Sequence, residues 1–226
     1  MSKDPAKLEK ALAKQARRDA RKEAIQATQA NIVTSLPGRV SIAGAEQWPF
    51  RECLITSEWR DTKQITQLLI VRENTRGQVV VGVLLVDLAC LGLKNGFARG
   101  FASYRSFELE LLNDLRDRQE VTPCSLDLAA KIAQVATDYA RGLGFEPHPD
   151  TKVVLRLLAG AQPDLILETI PTGGPNGKPF YINGPADDSQ KILRTLERTV
   201  GVGNFEMLVG VPGDFGFNDD FDVLGR

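Results

Sequence analysis

Cysteine and histidine are scarce in this chain of 226 residues, which has three cysteines and one histidine. Cys53, Cys90 and Cys124 are odd in number and widely spaced, which argues against a disulfide framework and favours free thiols in a reducing cytoplasm. Structural zinc sites usually contain close ligand pairs, but no two of the cysteines and His148 are fewer than 24 positions apart. The sequence therefore predicts no metal site and no cofactor.

The chain also lacks an excess charge of either sign and a long apolar run. Its formal net charge is −1 and its pI is near 6.0, so it is not a uniformly basic nucleic-acid protein. A hydrophobic content of 42% excludes a wholly disordered chain. The longest apolar run, 79–86, is shorter than the ~18 residues of a membrane span, and the charged N-terminus is unlike a signal peptide. We expect a cytoplasmic protein without a membrane partner.

Composition divides the chain into three parts. Residues 1–47 form a basic helical arm and a linker. Within this arm, residues 3–24 contain eight Lys and Arg against four Asp and Glu, with only a thin apolar stripe. Residues 48–211 form the core domain, and residues 212–226 form a tail with a net charge of −3. We expect the arm to be separable from the core because its apolar residues are too few to pack deeply.

The order of elements in the core predicts an α+β fold. Three apolar runs, 50–57, 64–73 and 78–88, predict an antiparallel meander sheet, with a four-residue hairpin loop at 74–77. The 78–88 run is apolar on both faces, which is typical of a central strand covered on both sides. Turn residues near 91–100 leave room for a short fourth strand.

Helical periodicity in the core predicts packing helices at 105–119, 123–143 and 189–200, with a further short helix at about 150–160. Thr122 suits an N-cap and Pro123 a first helical position in the second of these helices. Short strands are predicted at 164–169, 178–183 and 205–211.

Four blocks of the core resemble a group of uncharacterised bacterial cytoplasmic proteins. The blocks are CLITSEW (53–59), VGVLLVDLACLGLKNG (81–96), GFEPHPD (144–150) and GKPFYINGPADD (177–188). The group has VDLxCLGxK-like and GKPFYINGP-like blocks in a similar order, and it often carries an acid in place of Asn95 and a histidine in place of Ala186. Because the group has no established activity, the resemblance implies one domain over about residues 48–206 and no mechanism.

Asp87 is the most conspicuous polar residue because it closes an eight-residue apolar strand, and a buried charge must be paired or hydrogen-bonded. One hypothesis makes it a catalytic carboxylate of a metal-dependent phosphodiesterase, with Glu108, Glu110 and Asp114 as partners around metal ions. The alternative is an aspartate that ends the strand and accepts hydrogen bonds from turn amides.

Two further patterns in the sequence are candidates for a nucleophilic pair and for an anion-binding site. Cys90 and His148 allow a thiolate–imidazole pair, although no local signature supports it. The Gly- and Pro-rich segment 172–189 precedes a helix, and helix N-termini bind anions. That segment lacks the spacing of a phosphate-binding loop and carries Asp187 and Asp188, so a hairpin loop followed by a capped helix is the better interpretation.

The basic segment is the clearest partner signal in the sequence. We expect phosphate contacts with nucleic acid from its clustered side chains, namely Lys10, Lys14, Arg17, Arg18 and Arg21. Alternatively, residues 3–24 form a helix that docks on a protein partner or stays solvated, since acids are interspersed. The preferred interpretation is a binding or accessory protein, with a protein–protein interaction module and the Asp87 phosphodiesterase as alternatives. The sequence does not predict an oligomeric state.

Overall fold

A computed structural model describes residues 40–184 and 187–208 of the chain. Its strands are β1 (Phe50–Thr56), β2 (Thr66–Glu73), β3 (Val79–Asp87), β4 (Gly92–Phe101), β5 (Val121–Cys124), β6 (Phe180–Ile182) and β7 (Glu206–Leu208). Its helices are α1 (Tyr104–Phe107, a π-helical turn Glu108–Leu112, then Asn113–Arg118), α2 (Leu126–Gly142), α3 (Thr151–Arg156) and α4 (Ser189–Thr199). Short 3-10 turns lie at Ala45–Gln47 and Pro163–Leu165.

Five strands form one antiparallel sheet in the order β4-β3-β2-β1-β5. The predicted meander of the first three runs is confirmed, and β3 is interior, with β2 in the middle position. The hairpin loop at 74–77 is also confirmed, because Asn74 N–H donates to the Gln78 carbonyl. The fourth strand is longer than expected and spans ten residues. A separate two-stranded parallel sheet pairs β6 with β7.

Helices cover both faces of the sheet, as the two-sided apolarity of β3 requires. On one face, Val80, Leu84 and Val86 pack with residues of α2 and α3. On the other face, Val79, Val81 and Val83 pack with α1. A third cluster joins α4 to the β3–β4 turn through Cys90, Leu143, Tyr181 and Leu196. The α+β class and the packing helices are thus confirmed, with α4 seated at one end of the sheet.

The boundary before α2 corrects a sequence prediction. Thr122 and Pro123 do not begin the helix but belong to β5, which pairs with β1 at the sheet edge. Ser125 is the N-cap instead, and its Oγ accepts from Leu128 N–H at 3.0 Å. Pro123 is tolerated because an edge strand leaves part of its backbone without a ladder partner.

Two further boundaries differ from expectation. The predicted strand at 164–169 is instead a 3-10 turn followed by irregular chain, with Leu165 and Leu167 largely exposed. The short helix predicted at 150–160 ends at Arg156. Both segments are short apolar runs, in which hydrophobic periodicity cannot distinguish a strand from a helix or from irregular chain.

Residues 40–47, assigned to the linker by composition, pack on the core. Ala45 is fully buried, and Val40 and Ile42 contact the same apolar cluster. Residues 1–39 and 209–226, which include the basic segment and the acidic tail, lie outside the described residues. No helix within 40–184 or 187–208 is long and apolar enough to cross a membrane.

Candidate functional site

Asp87 organises the turn that joins β3 to β4. Its Oδ1 accepts the N–H groups of Ala89 and Cys90, each at 2.9 Å. The side chain is 5% exposed, and burial raises the pKa of its carboxyl, while Lys94 and the amide donors oppose this shift. Asp87 therefore does what the structural interpretation of the sequence predicts, since it ends a strand and bonds turn amides.

Three later segments meet at this turn through backbone hydrogen bonds. Gly173 N–H donates to the Leu88 carbonyl, Phe180 N–H to Ala89, and His148 N–H to Leu93, at distances of 2.9–3.0 Å. The turn therefore contacts two of the other blocks that carry the resemblance, 144–150 and 177–188. These hydrogen bonds make the β3–β4 turn the point where the sheet holds the C-terminal part of the core.

Close helix packing at this turn depends on Gly92. Its φ is +68°, a left-handed conformation that glycine adopts without strain. A Cβ atom there would lie 2.6 Å from the Ala140 Cβ of α2. Gly92 therefore lets α2 approach the start of β4.

An ion pair connects β4 with the loop before α4. Lys94 Nζ lies 3.0 Å from Asp187 Oδ2, and the two side chains are 16% and 12% exposed. The same Asp187 oxygen accepts from Gly184 N–H at 2.9 Å and lies 3.3 Å from the Tyr181 hydroxyl. Lys94 also interacts electrostatically with Asp87. One ammonium group thus balances two carboxylates.

Tyr181 completes this group of side chains. Its hydroxyl lies 3.0 Å from Ser189 Oγ and 3.1 Å from Asn183 Oδ1, and Ser189 Oγ donates to Asn183 Oδ1. Burial and Asp187 raise the pKa of Tyr181 to about 12, so the phenol is neutral near pH 7. We call Asp87, Lys94, Tyr181, Asn183, Asp187 and Ser189 the polar cluster.

Cys90 and Tyr139 lie beside the polar cluster. Cys90 is fully buried, and burial followed by the charge of Asp87 raises the pKa of its thiol. Burial also raises the pKa of Tyr139 to about 12, and its buried hydroxyl has no hydrogen-bond partner in the described part of the chain. A thiol held in this protonated form is a poor nucleophile.

The suggested Cys90–His148 pair is not formed. The imidazole of His148 is half-exposed and lies 3.7 Å from Asp150 Oδ2, and no hydrogen bond joins it to Cys90. The backbone of His148, rather than its side chain, contacts the β3–β4 turn.

The carboxylates suggested as partners of Asp87, namely Glu108, Glu110 and Asp114, all lie on α1, which packs on one face of the sheet. Glu108 is 3.5 Å from Arg105 and Glu110 bonds Arg99, both in or beside the first turns of α1. Tyr104, where α1 begins, contacts Arg51 near the opposite end of the sheet from Asp87. No group of three or more His, Cys, Asp or Glu side chains within the described ranges could hold a metal ion.

The Gly- and Pro-rich segment forms a loop and a capped helix start. Gly174 N–H donates to the Lys178 carbonyl, and the Lys178 ammonium donates to the Gly203 carbonyl at 2.9 Å. Asp188 caps α4 by accepting from Lys191 N–H at 3.1 Å. The predicted loop followed by a capped helix is thus confirmed, and Lys178 bonds to the protein itself.

Lys94, Tyr181 and Asp187 were not singled out from the sequence as site residues. Lys94 and Asp187 are 93 positions apart, so no local spacing could pair them. The available signal was their presence in two of the four blocks, 81–96 and 177–188. Asn95, in the first of these blocks, is exposed and bonds Gly96 N–H, while Ala186 lies outside the described residues.

No known family model, curated protein or solved structure matches the chain.

Proposed function

We propose that this is a cytoplasmic binding protein that contacts nucleic-acid phosphates through the Lys and Arg side chains of residues 3–24. The observation that carries the proposal is the distribution of charge along the chain. Residues 40–206 contain 18 Lys and Arg against 21 Asp and Glu, a net charge of −3, whereas residues 3–24 have a net charge of +4. Because phosphate contacts need clustered cations, the basic segment is the part of the chain suited to them.

Many cations of the core already have partners within the core. Arg51 bonds Glu73, Arg60 bonds Glu168 at 2.5 Å, and Arg141 lies 3.1 Å from Glu146. Arg72 is buried against backbone carbonyls, and Lys94 is paired with Asp187. These pairings reduce the positive charge that the core could offer to a polyanion.

The polar cluster lacks the arrangement of carboxylates that metal-dependent hydrolysis needs, within the described residues. Asp87 and Asp187 both accept hydrogen bonds from neighbouring protein groups, and the described carboxylates do not converge on a metal site. The phosphodiesterase alternative needs several carboxylates around ions ~4 Å apart. The interactions of the cluster instead fix the β3–β4 turn against the C-terminal part of the core.

A gel-shift titration tests the proposal with the full chain on DNA and on RNA, at low and at physiological salt. We expect binding to weaken steeply with salt, because each neutralised phosphate releases counterions. Replacing Lys14, Arg17, Arg18 and Arg21 with Gln should weaken binding to all sequences about equally, since phosphate contacts carry no base information. The matched control replaces four exposed core residues, Arg76, Lys152, Lys191 and Arg194, with Gln and should bind like the wild type.

Failure of the wild type to shift either nucleic acid at low salt would overturn the proposal. A protein–protein interaction module would then be the better interpretation. In that case Leu8→Ala or Leu12→Ala should weaken capture of the partner, and salt should have a smaller effect.

A further inference from the structure

Two cysteines that are 71 positions apart in sequence lie opposite each other in the sheet. The antiparallel register of β1 and β5 pairs Cys53 with Cys124. Both side chains pack in the apolar cluster on the α2 side of the sheet, where Cys53 is 1% exposed and Cys124 is half-buried. The third cysteine, Cys90, belongs to a different cluster at the β3–β4 turn.

The hydrogen bonds between β1 and β5 show which type of cross-strand pair Cys53 and Cys124 form. Ser57 N–H donates to the Glu120 carbonyl at 3.0 Å, one position beyond the Thr56–Val121 pair. Because pair types alternate along an antiparallel ladder, Cys53 and Cys124 form a hydrogen-bonded pair, in which Cα atoms are about 5.5 Å apart. Disulfides span Cα separations of about 4.4–6.8 Å, so the backbone already has the spacing of a disulfide.

We propose that Cys53 and Cys124 form a reversible modification site, where a peroxide oxidises the two thiols to a cross-strand disulfide. Such a bond goes beyond nucleic-acid binding and does not depend on it. Intracellular disulfides are usually transient and catalytic or redox-sensing, which fits a bond that forms only under oxidation.

The two thiols differ in a way that assigns their roles. Cys124 is half-buried whereas Cys53 is almost completely buried, so Cys124 is the more accessible of the two thiols. The hydrogen bond from Cys53 also lowers the pKa of the Cys124 thiol, while the same contact and burial raise the pKa of Cys53. Cys124 is therefore the attacking sulfur and Cys53 the resolving one.

The chemistry balances in two steps. The Cys124 thiolate attacks one oxygen of hydrogen peroxide, the O–O bond breaks, and the products are a sulfenic acid and, after protonation, water. The Cys53 sulfur then attacks the Cys124 sulfur, and the sulfenic oxygen leaves as water with the Cys53 proton. Two thiols are oxidised by two electrons, and one peroxide is reduced to two waters.

The geometry also indicates that the bond is easily reduced. Opposed Cβ atoms in antiparallel pairs lie about 4.5–5.5 Å apart, and hydrogen-bonded pairs are the wider type, whereas disulfides favour about 3.8 Å. Closing the bond strains the two strands, and strained disulfides have more oxidising potentials. The bond would tie edge strand β5 to β1.

The test treats reduced full-length protein with hydrogen peroxide, then denatures it and alkylates its free thiols for intact-mass and peptide mapping. We expect the number of alkylatable thiols to fall from three to one, a loss of two hydrogens, and a peptide linking Cys53 to Cys124. Dithiothreitol should restore all three thiols. The Cys90→Ala control should form the same link, and Cys124→Ser should keep both remaining thiols.

Three outcomes would overturn the proposal. They are retention of all three thiols by the oxidised wild type, a link that involves Cys90, and a sulfinic acid at Cys124 without any link. Since the decisive measurement uses the wild type, it stands even if a cysteine variant fails to fold. A failed gel shift would leave this result unaffected, so the two proposals are tested separately.

Discussion

Lys94 Nζ lies 3.0 Å from Asp187 Oδ2, so that a residue on the edge strand β4 is held by a residue 93 positions later in the chain. Lys94 also interacts electrostatically with Asp87, so the pair is part of the polar cluster. Because both side chains are largely buried, removing one partner leaves an unpaired charge in a poorly solvated place. We therefore expect this pair to contribute to stability more than the exposed ion pairs do.

A double-mutant cycle measures this contribution. Lys94→Met and Asp187→Asn should each lower the free energy of unfolding by about 1–3 kcal/mol, with a coupling of about 1 kcal/mol or more between them. The control cycle uses the exposed pair Lys63–Asp61, separated by 3.8 Å, where the coupling should stay below about 0.5 kcal/mol. Urea denaturation provides the values. Additive effects at Lys94 and Asp187 would show that the pair does not hold the cluster.

Asp87→Asn tests how much the ionisation of a buried carboxyl lowers the free energy of unfolding. Burial raises the pKa of Asp87 above its ordinary value of 3.8, so the folded protein binds the proton more tightly than the unfolded chain does. The contribution of the Asp87 carboxyl to the free energy of unfolding is fully present below pH 3.8. It is lost as the pH rises through the pKa that this carboxyl has in the folded protein. Asn keeps the acceptor for Ala89 and Cys90 but carries no charge.

We therefore expect Asp87→Asn to gain stability relative to the wild type as pH rises from about 4 to 7. Urea denaturation at several pH values checks this, with Asp117→Asn, at an exposed position of α1, as the matched control. A difference between wild type and Asp87→Asn that does not change with pH would contradict the effect of burial.

Gly82→Ala tests how closely α3 packs on the sheet. A Cβ atom at Gly82 would lie 2.6 Å from Val154 Cγ1 and 2.7 Å from Leu157 Cδ1. We expect a loss of about 1–3 kcal/mol in the free energy of unfolding from overpacking. Adding Val154→Ala should cost less in this background than in the wild type, because it makes room for the new methyl group.

Gly142→Ala is the matched control for that substitution. Apart from its chain neighbours and the backbone of its own helix, no atom lies within 4 Å of a Cβ built at Gly142, which ends α2. It should leave stability unchanged or raise it by about 0.5–1 kcal/mol. Equal effects at both glycines, measured by urea denaturation, would argue against close packing at Gly82.

Arg72→Lys tests a buried guanidinium group that binds backbone rather than acids. Arg72 Nε donates to the Leu157 carbonyl at 2.8 Å, Nη1 to Trp48 at 2.7 Å, and Nη2 to Ala159. A lysine cannot reproduce this planar set of donors, so we expect a loss of about 2–4 kcal/mol from unpaired carbonyls. Thermal unfolding measures this loss. The control, Arg76→Lys on the exposed hairpin loop, should leave the free energy of unfolding unchanged.

Two truncations locate the start of the folded core. Deletion of residues 1–39 should change the free energy of unfolding by less than about 1 kcal/mol, because the segment has few apolar residues. Deletion of residues 1–47 should cost at least about 2 kcal/mol, since Val40, Ile42 and the fully buried Ala45 pack on the core. Calorimetry compares the two. A large loss on removing 1–39 would contradict the separability predicted from the sequence.

Much of the sheet was predictable because its signal is local. The apolar runs and the turn residues at 74–77 lie next to one another in the chain, and β1, β2 and β3 pair in sequence order. Thr122 and Pro123 were misassigned for the opposite reason. The contact that makes them a strand is with β1, about 70 positions earlier, and no local pattern shows it.

The candidate site was predictable only at Asp87. A single aspartate at the end of an apolar strand stands out in the sequence, and its bonds to turn amides lie within three residues. Lys94, Tyr181 and Asp187 look like ordinary polar residues in sequence. They acquire their roles from a pairing of residues 93 positions apart, which the folded chain brings together.

The sequence by itself determined the α+β class, the interior position of β3 and the capped start of α4, because periodicity and capping act within a few residues. It also determined the separation of charge between residues 3–24 and the core. Only the tertiary structure decided that Lys94 meets Asp187 and that Cys53 faces Cys124. These contacts join segments 93 and 71 positions apart, which only the folded chain brings together, so no local spacing encodes them.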